Sequence, residues 1–170
     1  MQKLVVRNII RILILMCMQL LVLNNIYMGS YVMPELYLLF ILMLPTSIKR
    51  IPLLLVAFFT GLCIDVANNA LGFHALACTV VAFARFWFAD RILTRGEPVV
   101  INTPSMRSVN PQHYLAYLVL LYALFFTVLY LSEMFSFRGF GDVLLSIIAS
   151  SVVSSILVVL YQLLFIRVEK

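Results

Sequence analysis

The chain has 170 residues, 64% of them hydrophobic and 11% charged, with a mean hydropathy of +1.09. Soluble domains run at about 45–50% apolar and about 25% charged, so a water-soluble globule is excluded. Too little chain is left outside lipid for a soluble catalytic domain or, despite the formal charge of +5, for a nucleic-acid surface. Stretches without Asp, Glu, Lys or Arg cover 12–34, 36–48, 51–64, 66–84, 108–132 and 143–166. A helix needs about 20 residues to cross a hydrocarbon core. The expected architecture is an all-α polytopic membrane protein with six transmembrane helices, forming one integral domain over 1–170.

In chain order, span 1 is expected over 9–27. Its basic start and apolar run also fit a secretory signal, but Gly29 and Ser30 make a poor cleavage site and an uncleaved span is preferred. Span 2, over 35–48, is led by Pro34 and limited by Pro45, where the missing amide and the ring clash predict a kink. Span 3 follows the Lys49-Arg50 turn over 51–66, and span 4 returns over 72–89. The loop over 90–112 is the one substantial polar segment, a basic connector suited to anionic lipid or a cytoplasmic partner. Spans 5 and 6 cover 113–132 and 143–165. In this arrangement Arg138 alone among the lysines and arginines falls outside, so the positive-inside rule puts both termini in the cytoplasm.

The residues that draw attention lie between spans 3 and 4. Ala57, Gly61 and Asp65 recur every fourth position and share a helix face on which another helix can approach closely. Asp65 has two readings: a carboxylate at membrane depth is a candidate for ion, proton or partner recognition, whereas Asp65, Asn68, Asn69 and Gly72 are also the residue types that cap helices and turn chains. His74 and Asp65 without a third ligand make no metal site, and a hydrogen-bonded His is expected. Arg85 is expected to snorkel to the headgroups. Ser146, Ser150 and Ser154 form a second small-residue face, either packing within the chain or docking a partner's transmembrane helix. Tyr27, Tyr31, Tyr37, Trp87, Tyr114 and Phe137 read as an aromatic belt, and Cys17, Cys63 and Cys78 as inert packing residues. The sequence carries no phosphate-cradling loop, zinc-protease motif, nucleophile elbow or paired catalytic carboxylates, so a non-enzymatic protein without cofactor or metal is expected.

Met33-Pro34-Glu35-Leu36, the Gly61-x-x-x-Asp65 spacing and Leu71-Gly72-Phe73-His74-Ala75-Leu76 together resemble the rod shape-determining protein MreD family, over nearly the whole length. The chain differs from many members in its longer basic loop. The resemblance implies an inner-membrane scaffold of the bacterial cell-elongation machinery. Its implied partners are an MreC-like single-span protein, a peptidoglycan polymerase and transpeptidase, and, directly or indirectly, an MreB-like cytoskeleton. It also implies similarity in fold to the substrate-binding subunits of energy-coupling-factor vitamin transporters, which supplies the alternative function.

Overall fold

The computed structural model describes residues 2–25, 32–93, 104–105, 109–133 and 140–165, excepting the side chains of 2–7, 9 and 140. Its regular structure is helical throughout, with no strand among the described residues. The helices are α1 (Gln2–Leu21), α2 (Leu38–Met43), α3 (Arg50–Asn68), α4 (Phe73–Phe88), α5 (Pro111–Glu133) and α6 (Phe140–Phe165). A 3₁₀ turn, Leu23–Asn25, follows α1, and a π turn, Ala89–Leu93, extends α4. The stretches α3, α5 and Gly141–Phe165 of α6 are long and apolar enough to cross a membrane. The expected loop over 90–112 lies largely outside the described residues, as do Tyr27, Tyr31 and Phe137.

Local chemistry sets the boundaries. Pro52 sits in the first turn of α3 and Pro111 opens α5, positions whose amides lack a partner within the helix anyway. The Asn110 side chain accepts from the Gln112 amide at 3.1 Å and caps α5. At the far end of α3, Asn69 adopts the left-handed conformation (φ 54°), and the Ala70 amide returns 2.8 Å to the Asp65 carbonyl. Asn is among the few non-glycine residues that accept such a cap readily.

The expected second span is where the structure departs most from the sequence reading. Residues 32–36 form no helix or strand and α2 is six residues long, about 9 Å by helical rise. The two prolines account for the break. A residue preceding proline is pushed out of the helical region, and Leu44, before Pro45, has ψ 150° and ends α2. Met33, before Pro34, lies in the irregular stretch. The result is a broken segment, buried without interruption from Pro34 to Leu44 and threaded between the longer helices.

Around this segment α3 packs on α4, α4 on α5 and α5 on α6, while α2 contacts α1, α3 and α4. The centre is aromatic: Tyr37, Tyr114, Tyr117, Tyr122, Phe125 and Phe126 are fully buried. Tyr37 meets Phe125 edge-on with ring centroids 6.3 Å apart. Tyr37 and Tyr114 are therefore core residues and not part of an outer belt. Cys17 and Cys63 are exposed, so Cys78 alone of the three packs inside.

Polarity is inverted relative to a soluble protein. Gln19, Glu35, Asp65, Arg85, Ser154 and Gln162 are buried. Leu55, Phe59 and Val66 of α3 and Ile148, Val152 and Ile156 of α6 are exposed. Apolar surface this extensive marks a membrane or partner interface.

Candidate functional site

Asp65 is 1% exposed and faces the start of α4. That helix begins after Gly72, whose φ of 91° is a backbone conformation that suits glycine and whose position offers no capping side chain. The carboxylate of Asp65 supplies the missing cap from α3. One oxygen accepts the His74 amide at 3.1 Å, and the other the Ala75 amide at 2.8 Å. These donors would otherwise have no partner in the first turn, and the positive end of the helix favours the negative charge.

Close helix approach makes this reach possible. A Cβ added to Gly61 would lie 2.5 Å from Ala75 Cα and 2.6 Å from the His74 carbonyl oxygen, so only glycine fits. Ala57 is buried on the same face. The Ala57, Gly61 and Asp65 face is thus occupied by the chain's own α4. At the adjoining end of α3, Asn68 accepts from Asn24 at 2.8 Å, tying in the turn that follows α1.

His74 extends the cluster. Its Nδ1 lies 3.0 Å from Asp65 Oδ1, and its Nε2 stands 3.7 Å from Glu35 Oε1. An imidazole between two carboxylates can share a proton in either of two ways. Protonated, it bridges both acids; neutral, with Nδ1–H on Asp65, it presents a lone pair to a Glu35 that carries the proton. Glu35 is 5% exposed and its Oε2 has no hydrogen-bond partner among the described residues. The three side chains do not form a metal-binding group.

Glu35 belongs to the irregular stretch 32–36, whose backbone is held by side chains from the surrounding helices. The Met33 amide donates to Ser150 Oγ and the Glu35 amide to Ser154 Oγ, both at 3.0 Å. Gln19 of α1 accepts from the Leu36 amide at 2.7 Å and donates to the Pro34 carbonyl at 3.0 Å. At the other end of the broken segment the Arg85 guanidinium donates to the carbonyls of Leu44 and Pro45 and, at 3.2 Å, to Tyr117 Oη. Tyr117 Oη in turn reaches the Leu42 carbonyl at 3.4 Å.

The chain matches no family model, no curated protein and no solved structure.

Each candidate site residue singled out in the sequence lies among the described residues. Asp65 and His74 come together, Asn69 and Gly72 turn the chain between α3 and α4, and Asn68 ties that turn to α1. Ser150 and Ser154 face residues 32–36, whereas Ser146 bonds back to the Asp142 carbonyl of its own helix at 2.8 Å. Arg85 is buried and does not snorkel, because the carbonyls freed at the Pro45 break offer it partners inside the bundle. Glu35 was quoted only as part of Met33-Pro34-Glu35-Leu36 and not as a site residue, and Gln19, Tyr117 and Gln162 went unnoticed in the sequence. Gln19 and Gln162 carry a signal of their own: each is an amide flanked by apolar residues inside a long charge-free run, and both are buried.

Proposed function

We propose that this protein is a non-enzymatic membrane scaffold of the MreD type. In this reading it serves the bacterial cell-elongation machinery in the inner membrane, beside an MreC-like single-span protein and a peptidoglycan polymerase and transpeptidase. The chain then makes six crossings with both ends cytoplasmic, the second crossing being the broken segment 32–48. Contacts within the bundle support that crossing: Glu35 approaches His74 near the start of α4 and Leu44 meets Arg85, eleven residues and about 16 Å further along the same helix.

One observation carries the scaffold reading. The interior polar groups of Gln19, Ser150, Ser154, Arg85 and Asp65 bond the chain's own backbone, while the centre is filled by aromatic side chains. A substrate-binding subunit would direct such groups into a ligand cavity. The two small-residue faces are covered from within, so a partner helix meets the apolar exterior.

Affinity purification of the tagged protein from native membranes in mild detergent, followed by mass spectrometry, tests the proposal. Recovery of an MreC-like protein with a peptidoglycan polymerase and transpeptidase is the expected result. Recovery of a coupling membrane subunit with paired ATPases would refute it and indicate the vitamin-transport alternative.

A further inference from the structure

The last two turns of α4 and the π turn beyond it carry a feature that the scaffold reading does not use. Phe83, Ala84, Trp87, Phe88 and Arg91 line an open groove of about 350 Å³. Phe83 and Trp87 are 60% and 62% exposed, so the groove opens outward onto the apolar surface. The Arg91 guanidinium lies over the Trp87 ring, 4.7 Å from its centroid. One residue of α3 repeats the arrangement: Arg50 stands over Phe86 at 5.6 Å. Both arginines and the neighbouring Lys49 are exposed, and Asp90 is the acid in the same turn.

Stacking on an aromatic face fixes a guanidinium through its flat side. The N–H groups lie in the plane of the ion, so they remain free to fork onto a phosphate. Directly beside this donor is an aromatic cleft facing the apolar surroundings. A ligand that satisfies both parts has an anionic phosphate head and a hydrocarbon tail.

We propose that this groove is a binding site for an anionic phospholipid, its phosphodiester on Arg91 and an acyl chain along Phe83 and Trp87. The site rests on the membrane reading above, in which this end of α4 faces the cytoplasmic leaflet, where anionic headgroups attract basic residues. Charge complementarity selects the occupant: the lining is apolar apart from the arginine, and the positive charge stands at the end where headgroups lie.

The chain contains a single tryptophan, Trp87, and it lines the groove. Its fluorescence therefore reports the site directly. The protein is reconstituted into phosphatidylcholine vesicles containing graded amounts of dibrominated phosphatidylglycerol or, separately, dibrominated phosphatidylcholine. Bromine quenches on contact, so the two titrations compare the lipids at the groove. The anionic lipid is expected to be preferred by about fivefold, the equivalent of about 1 kcal/mol for one basic residue near the surface. Arg91→Gln should bring that preference close to one, and Arg91→Lys, which keeps the charge but loses the stacked planar fork, should retain only part of it.

Equal quenching by the two lipids would overturn the site while leaving the protein in the membrane. Quenching by neither, from protein that co-floats with the vesicles, would also overturn it, showing the groove covered by protein. Failure to co-float would instead refute the membrane reading itself.

Discussion

Replacing Gly61 by Ala adds one methyl group at the tightest point of the bundle. The new Cβ would stand 2.5 Å from Ala75 Cα, and ordinary contact begins at 3.4 Å, so α3 and α4 must part by about 1 Å. The obstacle is backbone and cannot rotate away. Overpacking of this kind costs about 1–3 kcal/mol. The same displacement stretches the bonds from Asp65 to the His74 and Ala75 amides, and loss of one charge-assisted bond adds about 1.5–3 kcal/mol. Better helix propensity returns about 1 kcal/mol. The net loss of about 1.5–5 kcal/mol corresponds to a midpoint lowered by about 3–20 °C for a chain of this size. Thermal unfolding in detergent, followed by circular dichroism, measures it. Gly141→Ala is the control, since a Cβ there meets nothing within 4 Å, and its midpoint should stay within about 2 °C of the parent. A Gly61→Ala midpoint equal to that of the control would refute the close approach and the cap that depends on it.

Substitutions at three further positions test the polar interior. Asp65→Asn keeps one acceptor but turns an amide donor toward a backbone N–H, and should lower stability by about 1–3 kcal/mol, with Asp65→Ala lower still; recovery of elongation partners with the Asn variant at normal levels would assign the carboxylate a capping role. Gln19→Leu strands the Leu36 amide and the Pro34 carbonyl, at about 2–5 kcal/mol, and limited proteolysis should cut faster within 32–36; unchanged cleavage would count against the anchoring of that stretch. Arg85→Met leaves the Leu44 carbonyl without its guanidinium donor, while the Pro45 carbonyl still accepts from the Ile48 amide, and should cost about 1–3 kcal/mol by the same thermal assay; parental stability would mean that the guanidinium is not the anchor.

Long apolar runs made α3, α5 and α6 readable from composition alone, because a continuous span needs only length and hydropathy. The cap on α4 was half readable: Asp65 and His74 stood out as polar residues in apolar sequence, but a carboxylate capping another helix has no local spacing rule. Glu35 escaped because it is adjacent to Pro34 at an expected helix start, where an acid looks ordinary. Its approach to His74 depends on the non-helical backbone of 32–36. Arg85 was misread because its partners are carbonyls, which every residue has, and only the break at Pro45 frees them. The serines illustrate the same limit from another side. Their four-residue period marks a face, and nothing in that period distinguishes a helix from a non-helical stretch of backbone as the occupant.

The distances along the chain within the broken segment's anchors carry a consequence for biosynthesis. The Met33 amide waits for a serine 117 positions later, and the Glu35 amide for one 119 positions later. At about 5–20 residues per second, a ribosome delivers those serines about 6–24 s after the groups they satisfy. During that interval the stretch can complete its bonding only with water, a helper protein or a temporary helical form. Its placement therefore belongs to the closing step of assembly, once the last helix has entered. Ribosome-bound chains halted before α6 should still expose residues 32–36 to a soluble protease that spares the finished protein.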